Sequence, residues 1–259
     1  MDMLSKVVEG LGQMSDIPSP EAVSRMMRLL RNVFFPNLYR DTAPGPAERM
    51  VAAILEEQTG SRDTADSFVA ELPSIRDLLY KDVAAVAQND PAVTSIAEIV
   101  LSYPAITVMM HYRVAHTLLK MGVDMLPRMI TELAHSATGV DIHPAAKIGE
   151  YFAIDHGTGI VIGATSIIGN HVMVYQGVTL GAKNFSYDHD GLPVDKPRHP
   201  ILEDNVTVYS NTSILGRVTV GHDTVVGGNV WLTHDVPPYS RILQTSAVTE
   251  SVMEQGEGI

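Results

Sequence analysis

Three short groups carry side chains able to move a proton or grip a small charged molecule: Asp141-Ile142-His143-Pro144, Asp155-His156-Gly157-Thr158-Gly159 and Arg198-His199-Pro200. Asp141 stands fifteen residues before His156. In a coil of about eighteen residues that is nearly one full turn, so this carboxylate and imidazole can meet on adjacent coils. A carboxylate bonded to one imidazole nitrogen fixes the tautomer and raises the basicity of the other. An imidazole so held can take a proton from a hydroxyl near neutral pH. Arg198 offers a planar fork for a carboxylate or a phosphate. The plain alternatives are a surface histidine beside a capping aspartate and a solvated loop arginine. Against them stands the combination of the Asp–His spacing with an Arg-His pair.

The other histidines have quieter readings. His143 caps the start of the stack, His171 and His222 fall at turns, and His111 and His116 belong to helix packing. A zinc site would need two histidines a few residues apart on one coil and a third on the next. His156, His171 and His199 are spaced irregularly, so no metal is expected.

The elements that must hold these groups are written in a six-residue repeat. Aliphatic residues recur at Ile142, Ile148, Ile154 and Ile160. The phase slips by two and continues at Ile162, Ile168, Val174 and Leu180, then resumes from Leu202 to Leu232. Four positions after each aliphatic there is usually a small or β-branched residue, such as Ala146, Thr158, Ser166 or Thr212. Three short strands and three tight turns use about eighteen residues, with one aliphatic per side pointing into a triangular core. Roughly five such coils fit. Glycine often follows the aliphatic, as at Gly149, Gly163, Gly169 and Gly221, and is expected to supply positive φ for the turns. An ordinary β-sandwich would alternate with period two instead.

The pattern before Ala137–Gly139 is helical. Ser19-Pro20-Glu21 opens one helix, Pro44-Gly45-Pro46 is a breaker before the next, and residues 64–87 read as helical with a break or fresh start at Pro73. Residues 104–121 and 124–135 follow. The expected fold class is thus α+β, with an all-helical domain over 1–138, parallel coils over 139–240 and a tail over 241–259. Residues 183–197 leave the repeat as a polar excursion, the place where repeat proteins put binding surfaces.

Composition narrows the functions. The 259 residues are 45% apolar and 19% charged, which describes a globular chain with a sizeable core. A net charge of −12 argues against general nucleic-acid binding. No cysteine is present, which excludes disulfides and thiolate chemistry. No apolar run approaches the roughly eighteen residues that span a membrane. Met1 to Gly10 lacks the features of a signal peptide, so a cytoplasmic location is expected.

Residues 141–149, 154–163, Tyr175-Gln176-Gly177-Val178-Thr179-Leu180-Gly181 and Arg198-His199-Pro200 together resemble the serine O-acetyltransferase family of hexapeptide-repeat acyltransferases. The match covers most of Asp141 to Pro238; Asn89-Asp90-Pro91-Ala92 and Tyr112-Arg113-Val114-Ala115-His116 resemble the family's helical domain more weakly. The resemblance implies a left-handed parallel β-helix, since handedness does not follow from the period. It implies homotrimers, with two trimers joined through the helical domains, and transfer of acetyl from acetyl-CoA to the hydroxyl of L-serine. His156 matches the general base and Asp141 its dyad partner. Asp90 and Asp155 match the holders of the substrate amine, and Arg198 and His199 the carboxylate side. Gly181, Ala182, Ser210 and Gly228 match positions lining a CoA groove between neighbouring β-helices. The tail ending in Ile259 matches the segment that docks O-acetylserine sulfhydrylase. Ala164 stands where many members carry a glutamate associated with control by cysteine, and residues 242–247 lack the common Gly-Val-Pro-Ala-Arg. The alternatives are transfer to another hydroxyl, on homoserine or a sugar, and a non-catalytic partner of the sulfhydrylase.

Overall fold

Serine, proline and glycine punctuate the first half, and serine or proline stands at the start of most of its helices. The computed structural model describes residues 3–12, 17–183, 194 and 196–244. Within these, α1 spans Met3–Gly12, α2 Pro20–Phe34, α3 Pro44–Thr59, α4 Arg62–Asn89, α5 Ile96–Ser102, α6 Pro104–Lys120 and α7 Leu126–Thr138. Ser19 caps α2 by accepting the Ala22 N–H at 3.3 Å, and Pro20 sits in the first turn, where a missing N–H costs nothing. Ser61 and Ser95 cap α4 and α5 in the same way. Gly139, at φ 72°, ends α7 in the left-handed conformation and marks the expected changeover.

Two proline expectations need correction. Pro44-Gly45-Pro46 is the first turn of α3 rather than a gap before it, because proline's fixed φ suits that position. Pro73 does not interrupt α4, which runs unbroken from Arg62 to Asn89. Phe68 and Leu72 before it and Ile75 and Leu79 after it are buried in one core. That shared packing outweighs a proline penalty of about 3 kcal/mol.

The second half is built of very short strands. In chain order they are β1 (Asp141–Ile142), β2 (Lys147–Ile148), β3 (Ala153–Asp155), β4 (Val161–Ile162), β5 (Ile167–Ile168), β6 (Met173–Tyr175) and β7 (Thr179–Gly181). Then come β8 (Ile201–Leu202), β9 (Thr207–Val208), β10 (Ser213–Leu215), β11 (Thr219–Val220), β12 (Val225–Val226), β13 (Trp231–Leu232) and β14 (Arg241–Ile242). Among the described residues no strand pairs with its sequence neighbour. Three parallel sheets form instead, ordered β1-β4-β7-β10-β13, β2-β5-β8-β11 and β3-β6-β9-β12-β14. This is a triangular coil of about five turns, and it matches a left-handed β-helix. The aliphatic of each strand stacks on its counterpart, Ile142 on Ile162, Ile162 on Leu180, Leu180 on Ile214 and Ile214 on Leu232.

The register explains the slip in phase. Asp141 pairs with Val161 and Ala153 with Met173, twenty residues on, whereas Val161 pairs with Thr179 and Ser213 with Trp231, eighteen on. The first coil therefore carries two extra residues, and they fall in the corner between β3 and β4, where His156 lies. Thr158 is exposed there, and Ile160, one of the repeat aliphatics, is buried. The excursion enters at the corner between β7 and β8 and returns the chain at Arg198-His199.

The repeat glycines do not supply positive φ; this expectation is overturned. At successive corners the left-handed residues are Tyr151, His171, Asn205, Asp223 and Tyr239. Gly149, Gly169 and Gly221 are needed for another reason. A Cβ on Gly221 would stand 2.4 Å from the Pro238 nitrogen, and one on Gly149 would stand 2.7 Å from the Gly169 oxygen. They let one coil lie close on the next.

The helical half is fastened to the first coil by buried polar contacts. The Tyr112 hydroxyl donates to the Ala146 oxygen at 2.6 Å and accepts the Ile148 N–H at 3.1 Å. Arg113 grips Asp82 with two nitrogens and donates to the Ile148 and Gly149 oxygens at 2.8 and 2.7 Å. The Asp82 carboxylate also accepts the Phe152 N–H. The expected packing roles of His111 and His116 agree: His111 bonds the Thr107 carbonyl within α6, and His116 bonds the Pro144 carbonyl.

Candidate active site

The β3–β4 corner gathers the first set of groups. Asp155 ends β3, and His156 follows at φ 54°, a left-handed backbone that histidine adopts more readily than most residues. The two-residue insertion makes this excursion possible and leaves the His156 side chain 74% exposed. Its Nε2 lies 3.7 Å from Asp155 Oδ1. From the helical side, Asp90 caps the end of α4. Its carboxylate accepts the Tyr103 hydroxyl at 2.7 Å and the Ala92 N–H at 2.8 Å. Those two donors hold it below the usual carboxylate range, and His156 acts in the same direction. Asp90, Tyr103, Ala153 and Asp155 line one small cavity between α4 and β3.

Asp141 is placed differently. It opens β1, next to the same corner, but its carboxylate faces Arg128 at 3.6 Å. Among the described residues, the carboxylate within ion-pair distance of His156 is that of Asp155 and not that of Asp141. Glu132, His135 and Asp141 bring ligand atoms within 4.8 Å of one another, and Arg128 pairs with both acids.

Arg198 and His199 form a second set at another corner, between the first and second sheets. His199 is buried, and its ring fills the space left by Gly163, where a Cβ would meet the imidazole at 2.0 Å. Thr165 organises this turn. Its hydroxyl accepts the Arg198 and His199 N–H groups, and its own N–H donates to His199 Nδ1 at 3.1 Å. An accepting Nδ1 places the proton on Nε2 in the neutral ring. Burial first, then the charges of Arg198, His143 and Arg217, push His199 down to about 4. The unfolded imidazole gains its proton near pH 6.5, the folded one only near 4, so stability falls as pH drops through that window. His199→Asn keeps an acceptor for Thr165 and removes the titration. Urea midpoints measured at about pH 7 and about pH 5 are expected to differ less in this variant than in the parent chain. An equal drop in both would contradict the assignment.

The positions matched to the CoA groove fall at the same two corners. Gly181 and Ala182 lead into the excursion. Ser210 and Gly228 lie on the other corner, in close approach, since a Cβ on Gly228 would stand 3.2 Å from the Ser210 oxygen. Lys183, Lys196, Arg198 and Arg217 line a cleft of about 320 Å³ beside the first pair. Tyr103 and Thr165 were not singled out by sequence reasoning. Both act through contacts with residues distant in the chain, and Tyr103 precedes Pro104 as many ordinary cap residues do.

Fold and site together define a hexapeptide-repeat β-helix protein with an imidazole and two carboxylates gathered at one corner. No protein-family model matches the chain. Its sequence is 47% identical over 198 residues to a plasmid serine acetyltransferase of Synechococcus elongatus, covering 76% of this chain and 62% of that protein. The match thus spans less than two thirds of that relative's length. It is 40% identical over 167 residues to the serine acetyltransferase of Bacillus licheniformis, covering 64% of this chain and 73% of that one. Among solved structures, serine acetyltransferase isoform 3 of Entamoeba histolytica, in complex with cysteine, superposes with a TM-score of 0.78 at 32% identity over 89% of this chain and 84% of that one. A serine acetyltransferase in complex with CoA gives 0.63 at 30% identity over 84% and 81%. The soybean enzyme complexed with serine gives 0.64 at 28% identity over 85% and 79%. The chain belongs to the serine acetyltransferase family.

Proposed function

We propose that this chain transfers the acetyl group of acetyl-CoA to the hydroxyl of L-serine, giving O-acetyl-L-serine and CoA. His156 takes the hydroxyl proton as the serine oxygen attacks the thioester carbonyl. The carbon–sulfur bond then breaks, and the imidazolium returns the proton to the departing thiolate, so no acyl-enzyme is needed. Asp90 and Asp155 hold the ammonium group, for which two carboxylates are suited. Arg198 and His199 take the substrate carboxylate. Asp141 serves as the dyad partner of His156 only once its carboxylate leaves Arg128 for the imidazole. The observation that carries this reading is the meeting of Asp90, from the helical half, with Asp155 and His156, from the first coil.

The proposed site needs more than one copy. His156 lies at the corner between the third and first sheets, and Arg198 with His199 at the corner between the first and second. Those corners are different edges of one triangular prism, so a single chain does not close them around one small substrate. A second copy laid alongside does, and three copies around an axis give three such grooves. The homotrimer, and the pairing of two trimers through helical domains over 1–138, complete the proposal. CoA runs along the same groove, its pantetheine near Ser210 and Gly228 and its phosphates near Gly181, Ala182 and the cations of the cleft. No metal takes part in the proposed steps. Among the described residues no helix is long and apolar enough to cross a membrane, and a cytoplasmic location is part of the proposal. So is docking of a sulfhydrylase through Ile259, which lies outside the described residues.

Release of CoA thiol from acetyl-CoA tests the reading, with L-serine, L-homoserine, a sugar or no acceptor. Release with L-serine far above the others is expected. Faster release with homoserine or a sugar would replace the acceptor, and none with any acceptor would favour the non-catalytic partner.

A further inference from the structure

Asp90 is the one proposed substrate-binding group that comes from the helical half, and a carboxylate on a helix end has several rotamers open to it. We propose that Tyr103 is the positioning residue that locks the Asp90 carboxylate toward Asp155 and so sets the grip on the substrate ammonium. The inference rests on the functional reading above.

Both Asp90 oxygens are engaged. Oδ1 accepts the Ala92 N–H across Pro91, a local turn that fixes one edge of the carboxylate. Oδ2 accepts the Tyr103 hydroxyl at 2.7 Å, thirteen residues away in sequence. Tyr103 is itself held. It ends α5 by donating its N–H to the Ile99 oxygen, and it is the residue before Pro104, where α6 begins. A residue before proline is kept extended, and Tyr103 has φ −81° and ψ 128°. The phenol therefore ties the end of α4 to the junction of α5 and α6. Its proton stays in place at working pH, because the bond to Asp90, then burial, push Tyr103 up to about 12.

The charged and titratable groups facing Asp90 come from three sides. Tyr103 and Glu98 lie on the α5–α6 side, Asp155 and His156 at the β3 corner, and Tyr175 on β6. Burial favours the protonated form of Asp90. The Tyr103 hydroxyl opposes that tendency, keeping Asp90 ionised and fixed. An ammonium carries the same charge in the bound substrate and in the transition state. Losing part of its grip therefore raises KM more than it lowers kcat.

Tyr103→Phe removes the hydroxyl and keeps the ring, and Asp90→Asn removes the charge it positions. In the full chain, Tyr103→Phe is expected to raise KM for L-serine about tenfold with a smaller change in kcat. KM for acetyl-CoA should stay near the parent value. That split, a raised serine KM with kcat and the acetyl-CoA KM little changed, is one that general loss of packing would not produce. Asp90→Asn should raise the serine KM at least as much. If Asp90→Asn does so and Tyr103→Phe leaves the serine KM unchanged, the positioning role is overturned and the site reading stands. If Asp90→Asn leaves the serine KM unchanged, Asp90 does not bind the ammonium and both assignments fall.

Discussion

His156→Ala lowers turnover with L-serine a hundredfold or more, the usual size of a general-base contribution. The expectation follows from where the ring stands. The coil inserts two residues at one corner, holds a non-glycine residue at φ 54°, and leaves the imidazole exposed rather than packed. A strained and exposed histidine contributes little to the core, so its removal should leave thermal stability nearly untouched. Steady-state thiol release and a melting curve on the same preparation check both halves. Near-parental turnover would refute the base assignment, and collapse of the fold would assign His156 a structural role instead.

Arg113→Ala costs about 3–5 kcal/mol of stability, the range for stranding one member of a buried ion pair. Arg113 is 5% exposed and Asp82 is fully buried. The guanidinium also satisfies the Ile148 and Gly149 carbonyls, and the carboxylate satisfies the Phe152 N–H. Removing the cation leaves a buried carboxylate with only the Phe152 N–H and two carbonyls without their donor. Urea unfolding gives the number, and a loss below about 1 kcal/mol would mean that the pair contributes as little as a surface bridge. Replacing Asp82 and Arg113 together by Leu and Met should recover part of the loss, because no stranded charge remains. The clamp also bears on the site. Asp82 lies two turns before Asp90 on α4, so a loosened α4 should raise the serine KM as well.

The coil was legible because its chemistry is local. One inward aliphatic per six residues is a constraint that each strand meets alone, and it predicts three parallel sheets without knowledge of contacts. Even the slip between Ile154 and Ile162 was visible, although its consequence for His156 and Thr158 needed the register. The glycine expectation failed because a glycine written in sequence has two explanations, freedom of φ and closeness of a neighbour. Only the approach of the next coil at Gly149 and Gly221 separates them. Pro73 failed for a related reason: the apolar residues that hold α4 straight across it belong to a core assembled from several helices. Within the site, Asp155 and His156 announced themselves by adjacency. Tyr103, Thr165 and Arg128 left no signal, since each acts on a partner in another element. Arg128 in particular turns Asp141 toward α7, a competition that spacing along a coil does not reveal.

Mixed oligomers test the proposed shared site most directly. His156→Ala and Arg198→Ala chains each break one corner and should be inactive alone. When the two are unfolded, mixed in equal amounts and refolded together, about one quarter of the grooves should pair an intact His156 corner with an intact Arg198 corner. The account predicts that activity returns to about that fraction of the parent value. Mixtures as inactive as the separate variants would contradict it.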